Sequence, residues 1–394
     1  MPTLASQKLC TGCLACIDSC KHNAIKPFIK NGLKYVTINT SICVDCKLCE
    51  KACPIITPVP KNNVCDMTVY GGWCKTDSYR INAASGGAFT AIALSFFKQF
   101  EKVVIIGASL ENNVVKHVLI ENCSEIGRLM NSKYIQSNTS GIYEKVKQKL
   151  RANYHVLFSG TPCQIAGLYG YLGKYKLSEL LYTVEIVCHG VPGKEALDLH
   201  LKYHHANSIS SFRNKKEGWG GGSQRTTIVI NSIPYIPSKS QDIFYQIFLG
   251  CLLDRRSCSN CIYSSINRVA DITLADFWGK AFNSEDTRKG VSLIIANNSR
   301  GKDLIQTSSE LYTFNSNLKE AINGQPRLYD GFKYIQYHPL ALFPNFFKQI
   351  LPKSLRLSIL TNRMPWKLLW GCYRLASVLH TKKMKENILK KYCK

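Results

Sequence analysis

Two short runs of cysteine constrain this chain more than any other feature. Cys10, Cys13, Cys16 and Cys20 stand at the intervals C-x2-C-x2-C-x3-C, and Cys43, Cys46, Cys49 and Cys53 repeat them, with Pro54 closing the second run. In such a run a tight loop aims three thiolates at one inorganic cubane, while the fourth begins a turn that leads away to the other cluster. The spacing therefore assigns Cys10, Cys13, Cys16 and Cys53 to one [4Fe-4S] cluster, and Cys43, Cys46, Cys49 and Cys20 to a second. Gly12 lets the first loop turn closely, and Pro54 fixes φ after the last ligand. Lys21 stands where the other run has proline; the ligand count is intact, but a positive charge is added. Zinc also takes four thiolates, yet its sites draw them as two pairs rather than as triplets with a fourth at x3.

Eighteen cysteines would otherwise suggest a secreted disulfide framework. Metal-ligand spacing and the lack of a signal-length apolar stretch in "MPTLASQKLC" point instead to a cytoplasmic protein. No run approaches 18 uninterrupted apolar residues, so no membrane span is expected. At 394 residues the chain allows two or three domains. Its 51 Lys and Arg against 26 Asp and Glu, a formal +25, favour anionic partners: phosphates, nucleotides, nucleic acid or an acidic membrane face.

Residues 5–58 resemble the two-cluster bacterial ferredoxin domain, and the fold expected there is a ferredoxin-like α+β unit over residues 1–58. Between the runs, "KPFIKNGLKYVTINTSIC" alternates around Asn31-Gly32 and reads as a hairpin. Residues 59–68 are polar and proline-bearing, the composition of a linker. Beyond them "EKVVIIGASL", "YHVLFSGTPC", "LLYTVEIVCHGVPG", "ADITLADFWG" and "VSLIIANNS" are strand-length apolar runs, and "GGAFTAIALSFFKQF" and "SGIYEKVKQKLRAN" read as helices between them. The expectation is an α/β domain with a mixed, mainly parallel sheet.

Several motifs carry chemistry. Ser85, Gly86 and Gly87 precede an apolar helix, where small residues let backbone N-H groups approach a phosphate; a plain helix cap is the alternative. In "VLFSGTPCQIAGL", Pro162 suits the first turn of a helix, and Cys163 would sit where the dipole lowers a thiol pKa, unless it is a buried structural cysteine. Cys188 and His189 in "VCHGVPG" are candidates to protonate or orient a substrate, or else a core pair. Cys251, Cys258 and Cys261 are one thiolate short of a tetrahedral set, which Cys188 or Cys163 would complete. A third cluster, zinc, or unmetallated thiols all remain open there. Asp276, Phe277 and Trp278 end a strand, and the aromatic pair reads as core. The glycine-rich loop 215–227, with Lys215, Lys216 and Arg225, is either a solvated loop or a closure over an anionic substrate.

Five ordered motifs, "ASGGAFTAIA", "SKYIQSNTSGIYEKVKQKL", "VLFSGTPCQIAGL", "VCHGVPG" and "RRSCSNCIYSSINRVADITLADFWG", carry a second resemblance. Together they look like the coenzyme F420 hydrogenase/dehydrogenase beta-subunit family, including the branch encoded among bacterial polysaccharide-biosynthesis genes, over about residues 5–310. Residues 69–150 and 151–310 would be the two parts of that domain, and 311–394 a basic extension. The resemblance implies an FAD-containing iron-sulfur oxidoreductase, with coenzyme F420 a further candidate. It places the flavin pocket at Ser85, Gly86 and Gly87, at Lys133, Tyr134, Gln136 and Ser137, and at Gly160, Thr161, Pro162 and Gln164, with Cys163 and His189 as candidate catalytic residues. Flavin carries the hydride chemistry, which accounts for the lack of a paired-carboxylate, nucleophile-elbow or phosphate-loop motif.

The final segment is basic, with Phe346, Phe347, Trp366 and Trp370 interleaved and Glu386 near its end. It reads either as a helical cap with a solvated face or as an amphipathic helix lying on anionic lipid at the inner face of the membrane. Expected partners are a redox donor such as ferredoxin or a partner oxidoreductase subunit, and an anionic small-molecule or lipid-linked substrate. Three classes compete: an enzyme, an electron-transfer subunit without its own substrate, and a nucleic-acid binder. The last lacks any reading module, so no nucleic acid is expected.

Overall fold

The structure is a computed structural model that describes residues 1–173, 179–220, 224–251 and 253–329; the expectations for the basic segment beyond residue 329 lie outside the described residues. Ile25–Lys30 (β1) and Leu33–Ile38 (β2) pair antiparallel, and Asn31 and Gly32 both take positive φ, 53° and 70°, as a two-residue hairpin turn requires. Each cysteine run contains one short helix, Ala15–Ser19 and Leu48–Ala52. Left-handed residues recur at matching places: Gly12 and Leu14 in the first run, Asp45 and Lys47 in the second. The two loops thus share one backbone path.

The main sheet uses Thr68–Cys74 (β3), Val103–Glu111 (β4), Val114–Ile120 (β5), His155–Gly160 (β6) and Leu181–Ile186 (β7). Ser208–Ser211 (β8), Thr227–Ile230 (β9) and Ile233–Tyr235 (β10) make a separate antiparallel sheet, after which Ile272–Asp276 (β11), Ser292–Ala296 (β12) and Leu311–Asn315 (β13) return to the large one. Its order is β13-β3-β12-β11-β7-β6-β4-β5. The sheet is mixed, but not mainly parallel: among the described residues β11, β7, β6 and β4 run parallel, and the four remaining pairings are antiparallel. Parallel neighbours need a crossover, and helices supply it in the centre; at one flank the chain simply doubles back from β4 to β5 through Asn112-Asn113, both left-handed. Strand β3 lies between β12 and β13, so the sheet extends past residue 310.

Alternation along β4 explains the layers. Val103 and Ile105 join the core under the helix Ala88–Gln99, while Val104 and Ile106 face the helices Ile142–Arg151 and Pro162–Leu172. The second layer also takes in Cys13, Ala15 and Ala52, so the cysteine-rich domain packs onto that face. Two glycines permit the contact: a Cβ at Gly167 would stand 2.9 Å from Cys13 Sγ, and one at Gly170 would stand 2.5 Å from the Ala52 carbonyl oxygen. The 59–68 stretch is pinned rather than free, since the Asn62 backbone N-H donates to the Arg268 carbonyl and its side-chain amide to those of Arg268 and Ala270, and Val64 is buried.

Candidate functional site

Cys10, Cys13, Cys16 and Cys53 stand close enough for their charges to act on one another. Burial first, then Cys53 and Cys10, push the Cys13 thiol up to about 12, and burial with the same neighbours raises Cys16. Iron supplies the positive charge that lets such buried sulfurs ionise. Cys20, Cys43, Cys46 and Cys49 line a second, small hollow. Among the described residues no three His, Cys, Asp or Glu side chains converge tightly enough for a single metal ion; a cubane spreads its thiolates over four irons.

A third group gathers deeper. Burial raises the thiols of Cys163, Cys188 and Cys258, and further upward pressure comes from Cys188 and Cys261 on Cys163, from Cys258 and Cys261 on Cys188, and from Cys261 and Cys163 on Cys258. Cys251 is raised by burial and, among other charges, by Cys258, but its Sγ also lies 3.4 Å from His189 Nε2. Arg327 is held protonated against its own burial by Cys251, Cys258, Cys261 and Cys188. The loop bearing Cys258 and Cys261 is fastened by Arg268, which pairs with Glu185 of β7 in a fully buried ion pair and donates to the carbonyls of Tyr263 and Ser265.

Beside this group opens a cavity of about 430 Å³, within the roughly 300–1,000 Å³ of cofactor-sized pockets. It lies at the carboxyl ends of the parallel strands, where Gly160 of β6, Ile186 of β7 and Asp276 of β11 all reach it. Sheets of this kind open their ligand crevices on that edge. The starts of the helices Ala88–Gln99 and Pro162–Leu172 border it too.

The sequence-predicted residues Ser85, Gly87, Lys133, Tyr134, Gln136, Ser137, Gly160, Thr161, Cys163, Gln164, Cys188 and His189 all line this cavity; Gly86 and Pro162 do not. Gly86 seats the turn against the sheet, for its N-H donates to Ser292 Oγ at 2.9 Å and a Cβ would meet Gly72 O and Ser292 N at 2.6 and 2.7 Å. Pro162 opens its helix below a capping box in which Thr161 and Gln164 engage each other. Gln136 is committed as well: its oxygen accepts from Lys34 N-H and Arg255, both at 3.0 Å, and its amide donates to the Gly12 carbonyl at 3.1 Å. Ser137 Oγ lies 2.7 Å from His117 Nδ1. Burial lowers Lys133 to about 7, and its Nζ donates to Met130 O at 2.5 Å. The Tyr134 ring packs on Phe248 with centroids 4.4 Å apart.

At two residues the buried alternative prevails. Cys163 does occupy the first turn of its helix, but burial raises its thiol instead of the dipole lowering it. His189 does not titrate near neutrality: burial, then the charge of Arg327, lower it to about 3. Lys215 is no solvated loop residue either, since it donates to the carbonyls of Arg80, Ser85 and Lys289. Phe277 is core, while Trp278 faces the cavity.

Sequence reasoning missed His117, Arg213 and Arg255. For His117 a signal existed, because it follows Val115 on the buried positions of an alternating strand. Arg213 and Arg255 become visible only through the partners that folding brings to them.

A cysteine-rich domain docked on a mixed α/β domain, with a ligand cavity between cysteine groups, has the build of an iron-sulfur electron-transfer protein. Residues 154–316 match the family model for the C terminus of the coenzyme F420 hydrogenase/dehydrogenase beta subunit, and residues 9–55 match the 4Fe-4S dicluster domain. The chain thus carries a region matching the C terminus of that beta-subunit family, preceded by an N-terminal 4Fe-4S domain. Among solved structures it is similar to a chain of the xenon-derivatized F420-reducing [NiFe] hydrogenase complex from Methanosarcina barkeri, with a TM-score of 0.47 and 14% identity over 71% of this chain and 93% of that one. No curated protein matches it. No helix among the described residues is long and apolar enough to cross a membrane.

Proposed function

We propose that the chain is a flavin-dependent iron-sulfur oxidoreductase acting on a small or lipid-linked substrate, in the cytoplasm and in surface polysaccharide assembly, with a ferredoxin or a partner subunit as its one-electron donor. The observation that carries this reading is the cavity wall: Thr11 and Gly12, from the loop between two N-terminal cysteines, border the same space as Cys163 and Cys188. When bound, the clusters supply single electrons and FAD exchanges one-electron for two-electron and hydride chemistry.

The protein's own residues do the positioning. Cys10, Cys13, Cys16 and Cys53 would hold the inner cluster, and Cys20, Cys43, Cys46 and Cys49 the outer one. For a third, Cys163, Cys188, Cys258 and Cys261 form the best-connected set, and Cys251, paired with His189, stands beside it. Tyr263 lies between the inner and third groups, its hydroxyl kept protonated by burial and then by Cys163 and Cys13. Lys133, Tyr134, Ser137 and Thr161 face the cavity where a flavin would lie, its apolar wall including Ile135 and Phe248. Anaerobic reconstitution followed by iron, sulfide and flavin quantification tests the proposal. Colourless protein without bound FAD would reject it.

The alternative is an electron-transfer subunit serving a partner enzyme. Exposed Ile42, Val44 and Leu48 around exposed Cys46 favour a docking surface at the outer end in either case. Purified protein that passes electrons only to artificial acceptors would select this second reading.

A further inference from the structure

Arg213 follows β8 and reaches the cavity wall while only 4% exposed. Its Nη1 donates to Asp276 Oδ2 at 2.8 Å, and the other Asp276 oxygen accepts the Trp219 indole N-H at 2.7 Å. Trp219 stacks on Trp278 at 4.4 Å between centroids, and the guanidinium carbon lies 6.0 Å from the Trp278 ring. The remaining nitrogens, Nε and Nη2, are buried without a hydrogen-bond partner. Together they form one edge of the guanidinium, the edge that places two parallel hydrogen bonds on a carboxylate or phosphate. Buried charged donors left unmet are costly. Asp276 does not relieve them, because it holds the third nitrogen.

The surroundings favour an anion. Burial opposes the charge on Arg213, but Asp276 and Tyr134 outweigh it and keep the guanidinium protonated. Lys215 lies close enough to feel that charge, so two basic groups face one carboxylate that is already engaged. We propose that the Nε-Nη2 edge of Arg213 is an oxyanion receptor inside the cavity, seating a carboxylate or phosphate group of its occupant. This rests on the cavity being the flavin and substrate site proposed above. The oxyanion has two sources: the pyrophosphate of the cofactor or an acidic group on the substrate.

Full-length, cluster-reconstituted protein is compared with Arg213→Lys, which keeps the charge opposite Asp276 but lacks the forked edge, and with the Arg213→Gln, Asp276→Asn double variant, which removes the ion pair as a unit. FAD affinity is measured by flavin fluorescence. Inorganic phosphate and acetate binding, to FAD-loaded and to FAD-free protein, is followed through the fluorescence of the Trp219-Trp278 stack. A loss of FAD affinity of about tenfold or more in both variants assigns the edge to the cofactor. Unchanged FAD affinity with a similar loss of phosphate or acetate binding assigns it to the substrate. Wild-type affinities for FAD, phosphate and acetate in Arg213→Lys overturn the proposal. Should wild-type protein bind no FAD at all, the flavin reading fails by itself, and phosphate binding in FAD-free protein still decides the role of Arg213.

Discussion

The two cysteine runs have the same intervals and the same left-handed turns, yet they live in opposite environments. In the first, Cys13 is 7% exposed, Leu14 2% and Ala15 0%. In the second, their counterparts Cys46, Lys47 and Leu48 are all exposed. The α/β domain encloses the first run, whereas it meets the second at that run's C-terminal end, through Ala52 and Pro54. Arg255 donates to the carbonyls of Cys10 and Lys34, Thr139 and Tyr143 both donate to the carbonyl of Cys13, and Asp18 accepts the N-H groups of Gly141 and Tyr143, so that it caps the helix Ile142–Arg151 from outside. The residues between the cysteines follow suit. Gly12 has no room for a Cβ, which would strike Gln136 and Arg255, whereas its counterpart Asp45 keeps the same positive φ at the surface. Identical ligand spacing therefore says nothing about direction; the packing makes one end inner and the other outer.

The largest effect that breaks this symmetry is expected from Cys13→Ser. It should remove about four irons per chain and stop donor-driven flavin reduction while the sheet stays folded; reduction at the wild-type rate would refute the proposed route. Cys46→Ser, at the matching outer place, should remove as much iron but leave the unfolding midpoint unchanged. Next comes Arg255→Ala, which removes hydrogen bonds to the part-buried carbonyls of Cys10 and Lys34 and to the Gln136 side-chain oxygen and should cost about 3 kcal/mol by urea unfolding. Its failure to loosen the N-terminal domain toward proteolysis would show that the docking lies elsewhere.

Acid should then act on the cavity side. Burial lowers His117 to about 4 from an ordinary 6.5, so between those values the unfolded chain binds the extra proton. Stability is present above pH 6.5 and falls as the pH drops toward 4, by about 3 kcal/mol in all. Urea unfolding against pH should show a slope at least that steep, because burial lowers His189 and His200 to about 3 with the same sign, and His117→Gln should reduce it by the share of His117. The sharpest comparison has the smallest effects: Gly12→Asp should cost about 2 kcal/mol through the forced contacts, while Asp45→Gly should stay within about 0.5 kcal/mol. Equal costs at both positions would mean that packing does not distinguish the two runs.

The hairpin, the apolar strands and the small residues at the two helix starts beside the cavity were legible, because each rests on local pattern: Asn-Gly at a turn, strand-length apolar runs, and Gly or Thr before an apolar helix. Lys133, Tyr134, Gln136 and Ser137 enter only through the family resemblance. Other features were not. The polar residues 59–68 read as a linker, since nothing local announces that Asn62 will find the carbonyls of Arg268 and Ala270. The helix dipole at Cys163 suggested an acidic thiol, but desolvation by distant segments reverses the sign. Gly86 looked like a cofactor contact and instead meets two neighbouring strands. Parallel and antiparallel neighbours likewise differ in how the chain returns, which apolar runs do not encode.

By itself, then, the amino-acid order determined how many thiols are offered and at what spacing, because ligand geometry within a loop depends only on nearby backbone. Tertiary structure decided which loop faces the cavity, which cysteines from separate segments meet, and which side of Arg213 is left unmet. Those are contacts between residues remote in the chain, and their energies depend on burial that exists only once the sheet, its helices and the docked N-terminal domain are assembled.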